Sequence, residues 1–255
     1  MFLITHRELL DELTKREIKQ RYKQSVLGYA WVILNPFFQM VVMAFVFQFL
    51  LRFDDLGVPY PIFLFAGLLP WNFFANSTAT SVNTLVANSG LLTKIYFPRE
   101  VFVLSTIMAK LVDFLLASTI FVAMMVFYQI PFTFYMLWFI PILIIQLIFT
   151  YGLSLILAAF NLFYRDIQYL MNLVLMLWMY LTPVIYPVEI FPEKYRFIFK
   201  LNPMAVFINA YRQVLLGGQS PKLTSLAIGL GTSLVVLAVG QWVFKKLEGQ
   251  FADVV

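Results

Sequence analysis

Six long apolar stretches divide this chain, at about residues 29–51, 60–86, 101–128, 135–163, 167–186 and 223–244. A helix needs about 20 residues, at 1.5 Å each, to cross the hydrocarbon layer of a membrane, and each stretch reaches that length. Lipid offers the backbone no hydrogen-bond partner, so such a stretch must satisfy its own amides by coiling. The runs are also far too long for barrel strands. The expected fold is therefore all-α: a polytopic integral membrane protein with six transmembrane helices. Composition agrees, since 62% of the residues are hydrophobic and only 12% charged, unlike an ordinary soluble domain. The chain divides into a helical segment over 1–28 and one six-helix transmembrane domain over 29–255, with no internal repeat or soluble linker between them.

Cations in the flanks set the orientation. With the amino terminus inside, Arg7, Lys15, Arg16, Lys19, Arg21, Lys23, Lys94, Arg99, Arg165, Lys245 and Lys246 fall on the cytoplasmic side. Arg52, Lys194, Arg196, Lys200, Arg212 and Lys222 fall on the other, and all but Arg52 lie between the last two spans. Both termini are expected in the cytoplasm. The formal charge of +5 follows from this loop bias and does not imply nucleic acid.

Charged residues precede the first apolar run, and no small-residue cleavage pattern follows a short one, so the first span is expected to be retained. Ahead of it, Thr5 and Glu8 have the spacing of a capping box, which predicts a helix from about His6 to Lys23. Asp11 with Lys15, Glu12 with Arg16, and Glu17 with Arg21 are acid-to-base pairs four apart, the order that supports an exposed helix. Leu9, Leu10 and Leu13 give it a narrow apolar side. Two readings fit: a solvated, salt-bridged helix, or an amphipathic helix in the headgroup layer. His6 reads as a surface residue.

Reaction centres are missing from the pattern. There is no Walker A sequence, no H-E-x-x-H and no G-x-S-x-G, and one histidine with no cysteine leaves no zinc set. No catalytic residue and no metal site is assigned. Lys110 and Asp113, three apart within a span, are expected to pair with each other. The alternative, from another class, makes them the ion relay of a secondary transporter. In the second span Ser77, Ser81, Thr84 and Asn88 follow one stripe, with Asn76, Thr80 and Asn83 beside it; close helix packing and a polar conduit wall both fit. The aromatics Tyr29, Trp31, Phe37, Phe38, Trp71, Phe73, Phe74, Trp178 and Tyr180 serve as packing and interface belts, or offer CH-rich faces over which sugar rings can slide. With Ser77 and Ser81 they are the candidate conduit residues. Pro36, Pro70 and Pro183 are expected to bend their helices.

Two polar interruptions stand out. LLTKIYFPRE, residues 91–100, packs cations, aromatics and a helix breaker between two spans, a composition suited to a rigid elbow at the water boundary. Between the last two spans, Asn202 before Pro203 reads as a helix cap and first residue, and Gly217–Gly218 as its stop. Val206, Phe207, Ala210, Val214 and Leu215 recur at helical spacing on a helix too short to span. FPEKYRFIFKLNP before it is a second short amphipathic piece, and the pair reads either as a lid or as interfacial anchors.

Several segments in order, KREIKQRYKQSVLGYAWVILNPFFQM (15–40), PIFLFAGLLPWNFFANS (61–77), LLTKIYFPRE (91–100), NLFYRDIQYL (161–170), LTPVIYP (181–187) and LNPMAVFINAYR (201–212), resemble polysaccharide-export permeases of the type-2 ABC class. The O-antigen exporters are nearest in character, with capsule and teichoic-acid exporters beside them. The resemblance implies a homodimer in the bacterial inner membrane, bound to two copies of an ABC ATPase that carries the ATP and Mg chemistry, with lipid-linked polysaccharide passing between the permeases. It implies an amphipathic interface helix near 5–23, a cytoplasmic coupling helix over 91–100, a second cytoplasmic turn at Arg165 and Asp166, and outer gate helices near 190–217. Lys94, Tyr96, Phe97, Arg99 and Glu100 are then the docking residues, with Pro98 stiffening the elbow. Arg16, Arg21 and Lys23 are candidates for lipid pyrophosphate or headgroups, although topology explains the same charges.

Overall fold

The computed structural model describes residues 7–22, 27–51, 57–92 and 98–251, and every regular element among them is helical. Helix α1 (Arg7–Tyr22) falls where the acid–base pattern predicts it; Thr5 lies outside the described residues. Lys15 reaches Asp11 at 2.7 Å and Glu12 at 3.1 Å, and Arg21 comes within 3.9 Å of Glu17. Glu12 therefore turns to Lys15 instead of Arg16, since neighbours three and four apart both share a helix face. The helix is not freely solvated all round: it packs along a later span, and Leu13 joins the core.

The remaining helices are α2 (Ala30–Leu51), α3 (Tyr60–Val82), the short turns α4 (Thr84–Ala87) and α5 (Ser89–Leu92), α6 (Glu100–Phe127), α7 (Phe139–Phe163), α8 (Ile167–Tyr180), α9 (Phe197–Leu201), α10 (Pro203–Leu215) and α11 (Leu223–Glu248). Among the described residues, four helical segments are long and apolar enough to cross a membrane: Ala30–Gln48, Glu100–Phe127, Phe134–Phe163 and Leu223–Glu248. They leave large apolar side chains uncovered, among them Phe45 (73% exposed), Phe127 (78%) and Val235 (63%), as helices do where lipid is the solvent.

Helix α3 is different. It packs against α2, α6, α7, α8 and α10, and most of its positions are buried. Protein rather than lipid surrounds it, which lets it carry the hydroxyl and amide residues that lower its hydropathy. Pro70 lies inside it and Pro36 inside α2. The carbonyl of Pro70 accepts from Gln146 Nε2 at 2.8 Å, and Gln146 Oε1 accepts from Tyr211 at 3.0 Å. This buried relay joins α3, α7 and α10.

The fifth apolar stretch ends six residues earlier than its hydropathy suggests: α8 stops at Tyr180 and the chain turns over 181–186. Proline disfavours the helical conformation in the residue before it and lacks an amide hydrogen, so Pro183 does not bend a helix here but lies past its end. The freed carbonyls find partners elsewhere, as burial requires. Tyr180 O accepts from the Tyr186 hydroxyl (2.6 Å), Leu181 O from Asn202 Nδ2 (3.3 Å) and Ile185 O from the Tyr60 hydroxyl (2.9 Å). Pro183 O and Val184 O both accept from Arg212, at 2.6 Å each. Asn202 also caps α10 by accepting from Met204 N, as its position before Pro203 predicts, and it accepts from Trp178 Nε1. Helix α10 ends at Leu215, two residues before the expected glycine stop, where Gly218 takes a φ of +56°.

Helices α7 and α11 approach most closely at two glycines. A Cβ on Gly152 would lie 2.6 Å from Leu237 Cα, and one on Gly240 would meet the Gly152 backbone. Small residues permit this backbone contact, which supplies van der Waals attraction where lipid cannot drive association.

Candidate functional site

The expected elbow is described from Pro98 onward; Lys94, Tyr96 and Phe97 lie outside the described residues. Arg99 turns inward, along its own chain. Its guanidinium donates to the carbonyl of Glu248 and lies 5.7 Å from the Phe251 ring centroid, while its amide faces Glu248 Oε1 at 3.4 Å. Glu248 ends α11, where carbonyls lack partners and the helix dipole favours a cation. Glu100 is 8% exposed and lies against Tyr151 and Lys245. Pro98–Glu100 is thus fastened to the last helix of the same chain, and these side chains are not free docking groups.

The second turn has the opposite character. Arg165 and Asp166 are exposed between α7 and α8. Asp166 sits at the cap position without capping; Asn161 accepts from Gln168 N at 3.0 Å and holds the turn instead.

A polar cavity of about 470 Å³ opens between α2, α3 and α6. Asn35 and Gln39 line it from α2, Asn72 and Asn76 from α3, and Lys110 and Asp113 from α6, with Trp31 and Phe73 beside them. Asn72 donates to Gln39 at 2.8 Å. Amides, a lysine and two aromatic faces suit a hydroxyl-rich ligand. The open polar stripe of α3 is Asn72, Asn76, Thr80 and Asn83, one position away from the hydroxyl stripe. Ser77 and Ser81 are 0% exposed and packed inside the bundle. Burial also removes Trp71 and Phe74 from any surface: with Phe149 they enclose the half-buried Trp178, ring centroids 5.2–6.4 Å from the Trp178 ring. Phe73 packs on Phe114 at 5.4 Å and is itself 3% exposed. Half-buried Phe37 touches Phe38, whereas Tyr29, Trp31, Phe38 and Tyr180 are more than 40% exposed.

Asp113 does not form its ion pair with Lys110. Arg21 of α1 takes it at 2.5 Å, both side chains being about one-fifth exposed, and so anchors α1 to the middle of α6. Of the headgroup candidates, Arg21 is committed to this pair, Arg16 is exposed beside Lys15 and Lys19, and Lys23 lies outside the described residues. Sequence reasoning missed Asn35, Gln39 and Asn72, although Asn72 and Asn76 are four apart. It also missed the structural role of Arg212, a cation set into an otherwise apolar helical run.

A helical bundle with apolar outer faces, a polar cleft between spans and stapled loop elbows is that of a multi-pass membrane protein. The model of the ABC-2 type transporter family matches residues 8–216, and the chain belongs to that family. It is 35% identical over 249 residues to an O-antigen export system permease protein, RfbA, of Klebsiella pneumoniae, covering 97% of this chain and 95% of the relative. Identity to the protein of the same name from Myxococcus xanthus is 32% over 255 residues, covering 98% and 96%. The polysialic acid transport protein KpsM of Escherichia coli is 23% identical, covering 94% and 93%.

Proposed function

We propose that this chain is the membrane subunit of an ATP-driven exporter that moves lipid-linked polysaccharide of the O-antigen type across a bacterial inner membrane. The near end-to-end similarity to O-antigen export permeases carries this reading. In it the chain crosses the membrane six times, with α3 and the α8 region as the two spans beyond the four most apolar ones, and both termini are cytoplasmic. Two copies pair and bind two ATPase subunits, which hold ATP and Mg. The thinly covered faces of α2 and α8, with Tyr29, Trp31, Phe38 and Tyr180 exposed, are suited to meet across the conduit. Capsule or teichoic-acid polymer is the alternative cargo of the same class.

The arrangement at Arg99 supports a division of labour in the elbow. Lys94, Tyr96 and Phe97, with Arg165 and Asp166, meet the ATPase. Pro98–Glu100 passes the resulting movement to α6 and, through Glu248, to α11. The ion-coupled alternative finds no support in Asp113, whose ion pair goes to α1.

Purification from native membranes, followed by native mass spectrometry, tests the assembly: two permeases with two ATPase subunits are expected. Export into inverted membrane vesicles should require ATP and both proteins. Transport by this chain alone, driven by an ion gradient, would refute the proposal.

A further inference from the structure

The minority cations of the topology count do not scatter. Arg196, Lys200, Arg212 and Lys222 line one cavity of about 690 Å³, with Glu189 as the single carboxylate among its described lining residues. Lys222 precedes α11, whose 26 residues separate this cavity from Glu248 and the elbow by about 39 Å. The two sites therefore occupy opposite ends of the bundle.

Among the described residues, no carboxylate comes within ion-pair distance of any of the four cations. The two arginines are held in place by backbone oxygens: Arg196 donates to Phe191 O and Glu189 O at 2.9 Å each, and Arg212 to Phe63 O, Pro183 O and Val184 O. Carbonyls orient a guanidinium but do not neutralise it. Lys200 and Lys222 are exposed at the walls. Beside them Phe197 (57% exposed), Leu201 (75%) and Leu223 (61%) present apolar side chains outward. A cationic interior of ligand-pocket size next to an apolar rim is complementary to an amphiphile with an anionic head.

We propose that this cavity binds the phosphate headgroup of an anionic lipid, its acyl or prenyl chains lying along Phe197, Leu201 and Leu223. Charge and shape in the cavity carry the inference, which stands whether or not the export reading does. The phosphate can come from a bilayer phospholipid or from a polyprenyl pyrophosphate.

Binding is measured on the full-length protein in nanodiscs, with lipid retention read by native mass spectrometry. One arm titrates phosphatidylglycerol into phosphatidylcholine; the other adds polyprenyl pyrophosphate to phosphatidylcholine alone. Lys200→Gln/Lys222→Gln is the test variant, because both side chains are exposed, and Lys245→Gln/Lys246→Gln at the opposite end is the control. Each lysine should contribute about fivefold, so the double variant should lose roughly 25-fold in retention, and the control should lose little. Lysine-dependent retention in the first arm supports the site with a bilayer phospholipid as occupant; confined to the second, it supports the site with the carrier as occupant. Equal retention by wild type and test variant in both arms overturns the proposal, as does an equal loss in the control.

Discussion

Replacing Arg212 with methionine distinguishes two opposing effects in this fold. The guanidinium is 8% exposed, lies 3.6 Å from the Phe63 ring centroid, and donates to three carbonyls freed by the turn after α8 and the start of α3. Removing it orphans those carbonyls, at about 1–3 kcal/mol each, but also relieves the burial of an unneutralised charge, an effect of several kcal/mol in the opposite direction. The adjoining cavity admits water and softens both. With three acceptors lost against one partly hydrated charge relieved, the net loss should be about 2–4 kcal/mol. For a chain of this size that corresponds to roughly 5–15 °C in melting temperature, measurable by fluorescence-detected size exclusion after heating in detergent. Arg212→Lys keeps the charge but loses the planar fork, and should fall between. Gly67 supplies an internal check: a Cβ there would lie 2.7 Å from Arg212 Nη2 and 3.1 Å from Val184 O. Gly67→Ala should therefore cost less in the Arg212→Met background than in the wild type, a coupling readable from a double-mutant cycle. A melting temperature for Arg212→Met within about 2 °C of wild type, or above it, would show that charge burial dominates and refute the carbonyl accounting.

Arg99→Gln should spare complex formation with the ATPase but lower export per ATP hydrolysed by roughly tenfold, in line with losing one charged hydrogen bond of about 1.5 kcal/mol; an unchanged ratio would remove Arg99 from force transfer. Asp113→Asn should cost about 1–3 kcal/mol in thermal stability by stranding Arg21, and the swap Arg21→Asp/Asp113→Arg should recover part of it, whereas no recovery would mean that the pair is not the anchor of α1. Gly152→Val should cost at least about 1–3 kcal/mol by forcing α7 and α11 apart. Gly231→Ala, on the same α11 but with nothing within 4 Å of the added methyl, should be neutral or slightly stabilising, and equal effects at the two glycines would contradict the close approach.

Much of the helical framework is legible locally. Helix α2 spans Ala30–Leu51 against an apolar run of 29–51, and α6 spans Glu100–Phe127 against 101–128, because apolar length and helical hydrogen bonding act along the chain. Asn202–Pro203 announces α10 for the same reason: the cap bond reaches only two residues. Helix α8 is harder, since hydropathy continues past the point where Pro183 prevents coiling. The elbow is legible as a polar interruption, but nothing near Arg99 names its partner, which lies 149 positions away. Similarly, Asp113 has Lys110 three residues off and yet pairs with Arg21, 92 positions away.

By itself the sequence determined that this chain is helical, crosses a membrane repeatedly and carries no reaction centre of a recognised pattern, because those properties follow from residue content and short-range spacing. Only the tertiary structure decided which of two polar stripes on α3 faces a cleft, that Arg212 staples the turn beyond α8, and that four scattered cations converge at one end of the bundle. Adjacent stripes on a helix differ by about 100° of rotation. Which one is covered depends on the neighbouring helices, and that information is absent from the stripe itself.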